Sequence, residues 1–476
     1  MRRTAHALTA LGLAFVLAAP LAGCSMAPKY ERPQPQLPLG WTSGVSDQTP
    51  AQANATLADW RQVIVDEPMK RVVELALANN RDLRVAALKI EKTQAQYRIA
   101  RADLLPKINA TAGANMSRTP GTLTGTGFPA TTRAYSVGLG FSSFELDLFG
   151  RIQSLKDAAL EEYLATESAH RSVELSLVAE VSMAYMTLAA DREQLALAQE
   201  ILATEQDSYE VIRQRFEFGV ANELDLTRAQ TTVDTARVQV AKNTAQVTAD
   251  ENLLAVLVGV PLSPELLPAK SLAEVAPLAP VPAGLPSEVL TRRPDVLSAE
   301  HQLQSANANI GAARARHFPS IGITGSFGTA SNAVNGLFTS GAGAWSFAPQ
   351  ITLPIFQAGA ISAGVKVAEA DRDILVAQYE KTVQTAFREV SDCLALAASL
   401  NSQVQAQGSL AQATGKSYEL SGLRYDAGVD GFLSKLDAQR SFATARQNLI
   451  TVNLSQRNNQ LTLYKALGGG WSAKAE

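Results

Sequence analysis

This chain of 476 residues has little of what chemistry usually needs. It contains 2 cysteines and 4 histidines, and aromatics make up only 6% of it. The histidines (His6, His170, His301, His317) are dispersed and no Cys/His/Asp cluster has metal-ligand spacing, so no metal, no cofactor and no catalytic group is expected. With 42 basic against 45 acidic residues, the chain suits neither a nucleic-acid binder nor a disordered tail. Beyond the N-terminus no run of about 18 apolar residues stands out, which argues against a transmembrane helix. Anything that crosses a membrane here must then do so as β-strands. Gly415-Lys416-Ser417 looks like the end of a phosphate loop, but Leu410 stands where the upstream glycine should be and no strand precedes it.

The N-terminus reads as a processing signal: Arg2 and Arg3, an apolar run from Ala7 to Ala19, then Leu21-Ala22-Gly23-Cys24. The last four residues resemble a bacterial lipobox. That implies a signal peptide over residues 1–23 and an acylated Cys24, the alternative being a secreted chain with a chance cysteine. Ser25, rather than Asp, favours sorting to the outer membrane by the same analogy. Residues 24–65, with Pro28, Pro33, Pro35, Pro38 and Pro50, read as a lipidated extended tether. The other cysteine, Cys393, lies in a helical pattern as a small buried residue, and with Cys24 acylated no internal disulfide can form.

From Asp66 to about Leu104 the apolar spacing is helical, with a break near Asn79-Asn80. The period then changes to 2 over Ile108–Ser117, where even positions are apolar and odd ones polar or Gly. A second alternating run, from Tyr135 to Leu148, shifts phase at Ser142-Ser143, through a bulge or because the strand leaves the membrane. Between Gly150 and Phe218 there is no Pro and no internal Gly, which predicts a single helix roughly 100 Å long. A return helix follows, and then a Pro-rich connector.

The programme then repeats. Asp82, Ala102 and Pro106 match Asp295, Ala315 and Pro319 at an offset of 213; Glu180-Val181-Ser182 and Ala229-Gln230 match Glu389-Val390-Ser391 and Ala438-Gln439 at an offset of 209. The expected organisation is a first repeat over 66–260, with strands 106–118 and 133–148 and a hairpin tip near 215–224. A connector over 261–293 leads to a second repeat over 294–467, with strands 319–330 and 344–356 and a tip near 424–433, and a tail over 468–476. Each tip carries a glycine, Gly219 or Gly428, that lets one helix stop and another start antiparallel to it.

Four strands of about ten residues can cross a bilayer but cannot close a barrel, and open edges are intolerable in lipid. Several copies must therefore pool their strands, apolar face to lipid and polar face to water. A soluble β-sandwich layer with one wet face would show the same alternation.

At this point the sequence resembles the TolC-type outer-membrane factors, in the lipoprotein branch that includes OprM, CusC and NodT. The resemblance rests on Ala27-Pro28-Lys29-Tyr30, Leu148-Phe149-Gly150-Arg151, Arg292-Arg293-Pro294-Asp295, Leu353-Pro354-Ile355-Phe356 and both tips, in this order. It implies an α+β membrane protein: a homotrimeric twelve-stranded β-barrel, four strands per chain, continuous with a twelve-helix α-barrel. It also implies a gated exit duct for an efflux system, with a periplasmic adaptor and an inner-membrane transporter (RND, ABC or MFS type) as partners, and no nucleic acid. Similar ducts pass drugs, solvents, metal ions or siderophores. Arg215, Phe216, Gly219 and Val220, with Arg424, Gly428 and Val429, would dock the adaptor. Leu433, Asp437 and Tyr425 would form the periplasmic gate. Where TolC itself has a second aspartate ring one turn before Asp437, this chain has Ser434, so constriction would fall on Leu433. The competing reading is a structural outer-membrane lipoprotein that spans the periplasm as a scaffold and conducts nothing.

Overall fold

A computed structural model describes residues 25–34, 58–268, 271–280 and 287–469. The expected signal peptide, Cys24 and most of the proposed tether fall outside these residues. Helices α1 (Trp60–Val63), α2 (Glu67–Asn79) and α3 (Arg81–Ala102) lead into strands β1 (Asn109–Thr119) and β2 (Ala130–Leu146). The long helices α4 (Arg151–Glu217) and α5 (Glu223–Val258) follow. In the second half α6 (Pro294–Ala315), β3 (Ser320–Ser331), β4 (Gly343–Thr352), α7 (Ala360–Asp426) and α8 (Phe432–Ala466) repeat the order. The chain forms two compact units. One comprises Lys89–Glu167, Ser298–Tyr379 and the described N-terminal residues up to Pro33; the other comprises the described parts of Gln34–Leu88, Ser168–Leu297 and Glu380–Glu476.

The first unit is built on an antiparallel meander in the order β1-β2-β3-β4. β1 and β4 are its edges, and both are exposed along their whole length except at Thr119. In β2 the pairing with β3 slips between Phe141 and Phe144, so the phase shift is a bulge. Ser143 takes φ 55° there, and its N–H donates to Thr324 Oγ1 at 3.2 Å. The N-terminal stretch is strapped along α6. Asn307 Nδ2 donates to the Pro28 carbonyl at 2.8 Å, and Arg32 grips Glu300 through two bonds of 2.7 Å each. Tyr30 Oη adds a third donor to Glu300 at 3.2 Å, so this carboxylate is buried yet satisfied.

The second unit has the main core, where Trp60, Met69, Val72, Leu177, Tyr185, Met186, Leu188, Leu254, Leu461 and Tyr464 pack together. Burying each large apolar side chain contributes about 1.5–3 kcal/mol. Asn80 explains the break between α2 and α3: its side-chain oxygen caps α3 through Leu83 N at 2.8 Å, while its amide donates to Leu257 O at 2.8 Å. Arg293, from the motif before α6, is buried and joins Asp295 and Glu389 at 2.7 and 2.9 Å. It also donates to the carbonyl of Ala466 at 2.7 Å, tying three helices at one point.

Two sequence readings need correction. Residues 58–65 are not tether: α1 is capped by Asp59, and Trp60, Val63 and Ile64 lie in the core. The Pro-rich composition upstream hides this short apolar anchor. Helix α4 also contains an 18-residue window of mean hydropathy 1.4, long and apolar enough by composition to cross a membrane. More than half of that window, 56%, is buried inside the protein, and the apolar run of α4 from Leu177 to Ala190 belongs to the main core.

Candidate functional site

The register of the sheet sorts its side chains by chemistry. Ala110 sits opposite Leu139 and Ala112 opposite Val137; Leu139 is opposite Phe327; Phe327 is opposite Trp345 and Ile321 opposite Ile351. All of these share one face. The other face presents Asn109, Thr111, Asn115, Ser136, Thr324, Ser326, Ser346 and Gln350. There Ser326 and Ser346 hydroxyls bond at 2.7 Å. On this polar face Gly138 pairs with Gly328, and a Cβ on Gly138 would lie 2.8 Å from the Phe327 carbonyl. A Cβ on Gly328 would run into the Val137 carbonyl. Side chains are absent where the strands close in, which lets the sheet curl toward its polar face.

Both hairpin tips end their first helix in the same way. Val220 N donates to Arg215 O at 2.8 Å and Gly219 N to Phe216 O at 2.9 Å; Val429 N donates to Arg424 O at 2.9 Å and Gly428 N to Tyr425 O at 3.0 Å. This is the Schellman pattern, which needs a left-handed residue at the turn, and Gly219 and Gly428 each have φ 73°. Asn222 then caps α5, accepting from Asp225 N at 2.9 Å. In the second tip Asp430 instead accepts two bonds from Arg424, at 2.6 and 2.9 Å. Hydrogen bonding to Arg424 holds the Asp430 carboxyl below its usual range.

The tips are joined to each other. Arg215 Nη1 donates to Tyr425 Oη at 2.8 Å, and its guanidinium lies 5.0 Å from the ring centroid. Lys435 Nζ is 5.3 Å from the same ring, and Phe432 tilts against it at 5.9 Å. Burial raises the Tyr425 phenol, with Arg215 pulling the other way, so the hydroxyl stays neutral near pH 7 and accepts from the cation. Farther along the hairpins, Arg446 on α8 meets Glu200 on α4 at 2.9 Å.

Of the gate residues expected from sequence, the fold thus brings Tyr425 to Arg215. Leu433 and Asp437 lie one turn apart on α8 and both are exposed, while Leu436 and Gln439 on the other side are buried. Phe216, Val220 and Val429 are exposed. Phe218, within the expected first tip, is 83% exposed; Asp430, in the second, is what sequence reasoning missed. It had a signal, an acid six residues after an arginine across a glycine turn.

A different group of residues between α4 and α5 was also missed. Asp250 is buried; its Oδ1 accepts from Gln246 at 3.0 Å, and its Oδ2 has no donor among the described residues. Asp191 faces it. Burial, then the hydrogen bond and charge of Asp250, push the Asp191 carboxyl up to about 7. A proton held by Asp191 supplies the missing donor.

Comparison with known proteins agrees with this geometry. A family model described as outer membrane efflux protein matches residues 72–260 and 285–469. The toluene efflux pump outer membrane protein TtgC of Pseudomonas putida is 46% identical over 453 residues, 95% of this chain and 93% of that protein. Outer membrane protein OprJ of Pseudomonas aeruginosa is 44% identical over 478 residues, 99% of this chain and 97% of that one. Among solved structures, the open state of the Neisseria gonorrhoeae MtrE outer membrane channel superposes with a TM-score of 0.82 at 37% identity, over 94% of this chain and 98% of that one. The chain belongs to the outer membrane efflux protein family.

Proposed function

We propose that this protein is the exit duct of a tripartite efflux pump, in which three copies close a twelve-stranded barrel in the outer membrane and a twelve-helix barrel below it. The observation that carries this reading is the sheet: one apolar and one polar face, with two exposed edges that only other copies can satisfy. The exposed tip residues Phe216, Phe218, Val220 and Val429 suit docking of a periplasmic adaptor, which couples the duct to an inner-membrane transporter. Repeated by threefold symmetry, Leu433 makes an apolar constriction and Asp437 a ring of carboxylates that disfavours anions. The Arg215–Tyr425 bond holds the second hairpin against the first in the resting state. Cys24 is the lipid attachment point.

Single-channel conductance in planar bilayers tests the duct and its gate together. Wild type is expected to open rarely and to small conductance, whereas Leu433→Ala/Asp437→Ala opens steadily and widely. Folded trimers of both proteins that conduct nothing would overturn the duct and leave a scaffold that spans the periplasm.

A further inference from the structure

The sheet carries almost no charge. Between Asn109 and Phe144, and again between Phe318 and Gln357, the sequence has only two charged residues, Arg118 and Arg133. These stretches include all of β1, β3 and β4, most of β2, and both loops at the end of the sheet away from the helices. The two arginines are side by side. Arg118 lies opposite Thr131 and Arg133 opposite Met116, which makes them diagonal neighbours with Cα atoms roughly 7–8 Å apart. Both lie on the apolar face, in line with Ala110, Ala112, Ala114 and Met116 on β1 and with Tyr135, Val137 and Leu139 on β2.

Their height along the sheet is informative. From Asn109 to Arg118 is roughly 30 Å along the strand, or about 23 Å along the membrane normal at the usual tilt, against an apolar band about 25 Å tall. Arg118 and Arg133 therefore stand at the outer rim of the band, just past Tyr135. Both side chains are exposed, and neither has an ion-pair partner among the described residues. No carboxylate in either stretch could neutralise them. An arginine at the interface costs far less than one at the midplane, but two adjacent like charges with no carboxylate nearby repel each other unless an anion sits between them. Because the face is the lipid face, that anion belongs to a lipid rather than to cargo in the lumen.

We propose that Arg118 and Arg133 form a binding site for the phosphate of a lipid headgroup in the outer leaflet, one site on each copy of the chain. The planar guanidinium forks suit bidentate contact with phosphate oxygens, while the acyl chains lie along Met116, Val137 and Leu139. This site rests on the barrel reading, since it requires the apolar face to be the outer one.

The test uses purified full-length protein in neutral detergent, titrated with a bisphosphorylated diglucosamine lipid or with the same lipid after enzymatic dephosphorylation, and read by native mass spectrometry. Wild-type trimers are expected to prefer the phosphorylated lipid by about tenfold or more, since basic side chains near the membrane surface favour anionic headgroups. Arg118→Gln/Arg133→Gln trimers should lose the preference and still bind the dephosphorylated lipid as wild type does. Arg98→Gln/Arg101→Gln, which removes the same charge from α3, should keep it. Equal binding of the two lipids by wild type, a preference that survives in the first variant, or an equal loss in the second would overturn the site. Failure of wild type to form trimers would overturn the barrel, and the site with it.

Discussion

Asp191 ties the fold of the first hairpin to pH, because burial and Asp250 beside it raise its carboxyl. Its carboxyl titrates at about 7 in the folded protein, well above the roughly 3.9 of an unfolded aspartate. Between those values the folded state holds a proton that the unfolded state has released, so stability is highest below about pH 4 as far as this group is concerned and is lost as pH rises through 7. Asp191→Asn should flatten that part of the pH profile and raise the melting temperature at pH 8 relative to wild type. An unchanged slope between pH 5 and 8 would show that the proton is not shared with Asp250. Nothing in the sequence marks this pair, because Asp191 and Asp250 are 59 positions apart and each looks like an ordinary helix surface acid. The same holds for Lys435 beside Tyr425, where the ring contact depends on the close of the tip.

At the scale of elements much more was legible. The Pro-free stretch from Gly150 to Phe218 coincides with α4, since nothing in it can end a helix before Gly219 supplies the left-handed turn. The alternation over Ile108–Ser117 coincides with β1, because lipid or water on each face leaves the period of 2 undisguised. What composition concealed was pairing. Gly138 and Gly328 read as weak spots in a strand, yet they face each other where the backbones approach. Gly328→Val should therefore lower the yield of detergent-stable trimer several-fold while helical circular dichroism changes little, the added side chain costing about 1–3 kcal/mol of overpacking. Gly322→Val, on the interior strand β3 where a Cβ meets nothing within 4 Å, is the control and should assemble normally.

For the whole molecule, the repeat visible in the sequence suggests two equivalent halves, but the packing does not respect them. The main core mixes Trp60, Val63 and Tyr185 from the first half with Ile450, Leu461 and Tyr464 from the second. A chain ending at residue 265 should accordingly lack protease resistance, although it contains a full copy of the repeated elements. Co-expression with residues 266–476 should restore it. Protease-resistant folding of the first half alone would mean that the repeats are independent after all.

The strap and the core closure also set a clock. Tyr464 Oη donates to Ala58 O across 406 residues, and Arg32 reaches Glu300 across 268. At synthesis rates of about 5–20 residues per second, the ribosome needs roughly 20–80 s to make the chain between Ala58 and Tyr464. Until then the core that joins the two halves stays open, although local pairs such as Asn80 with Leu257 can close earlier. A protein bound for the far side of a membrane gains from this wiring: the strap waits for residue 300 and the main core closes only after the last helix has been made, so the stable globule that would jam a translocation pore forms late.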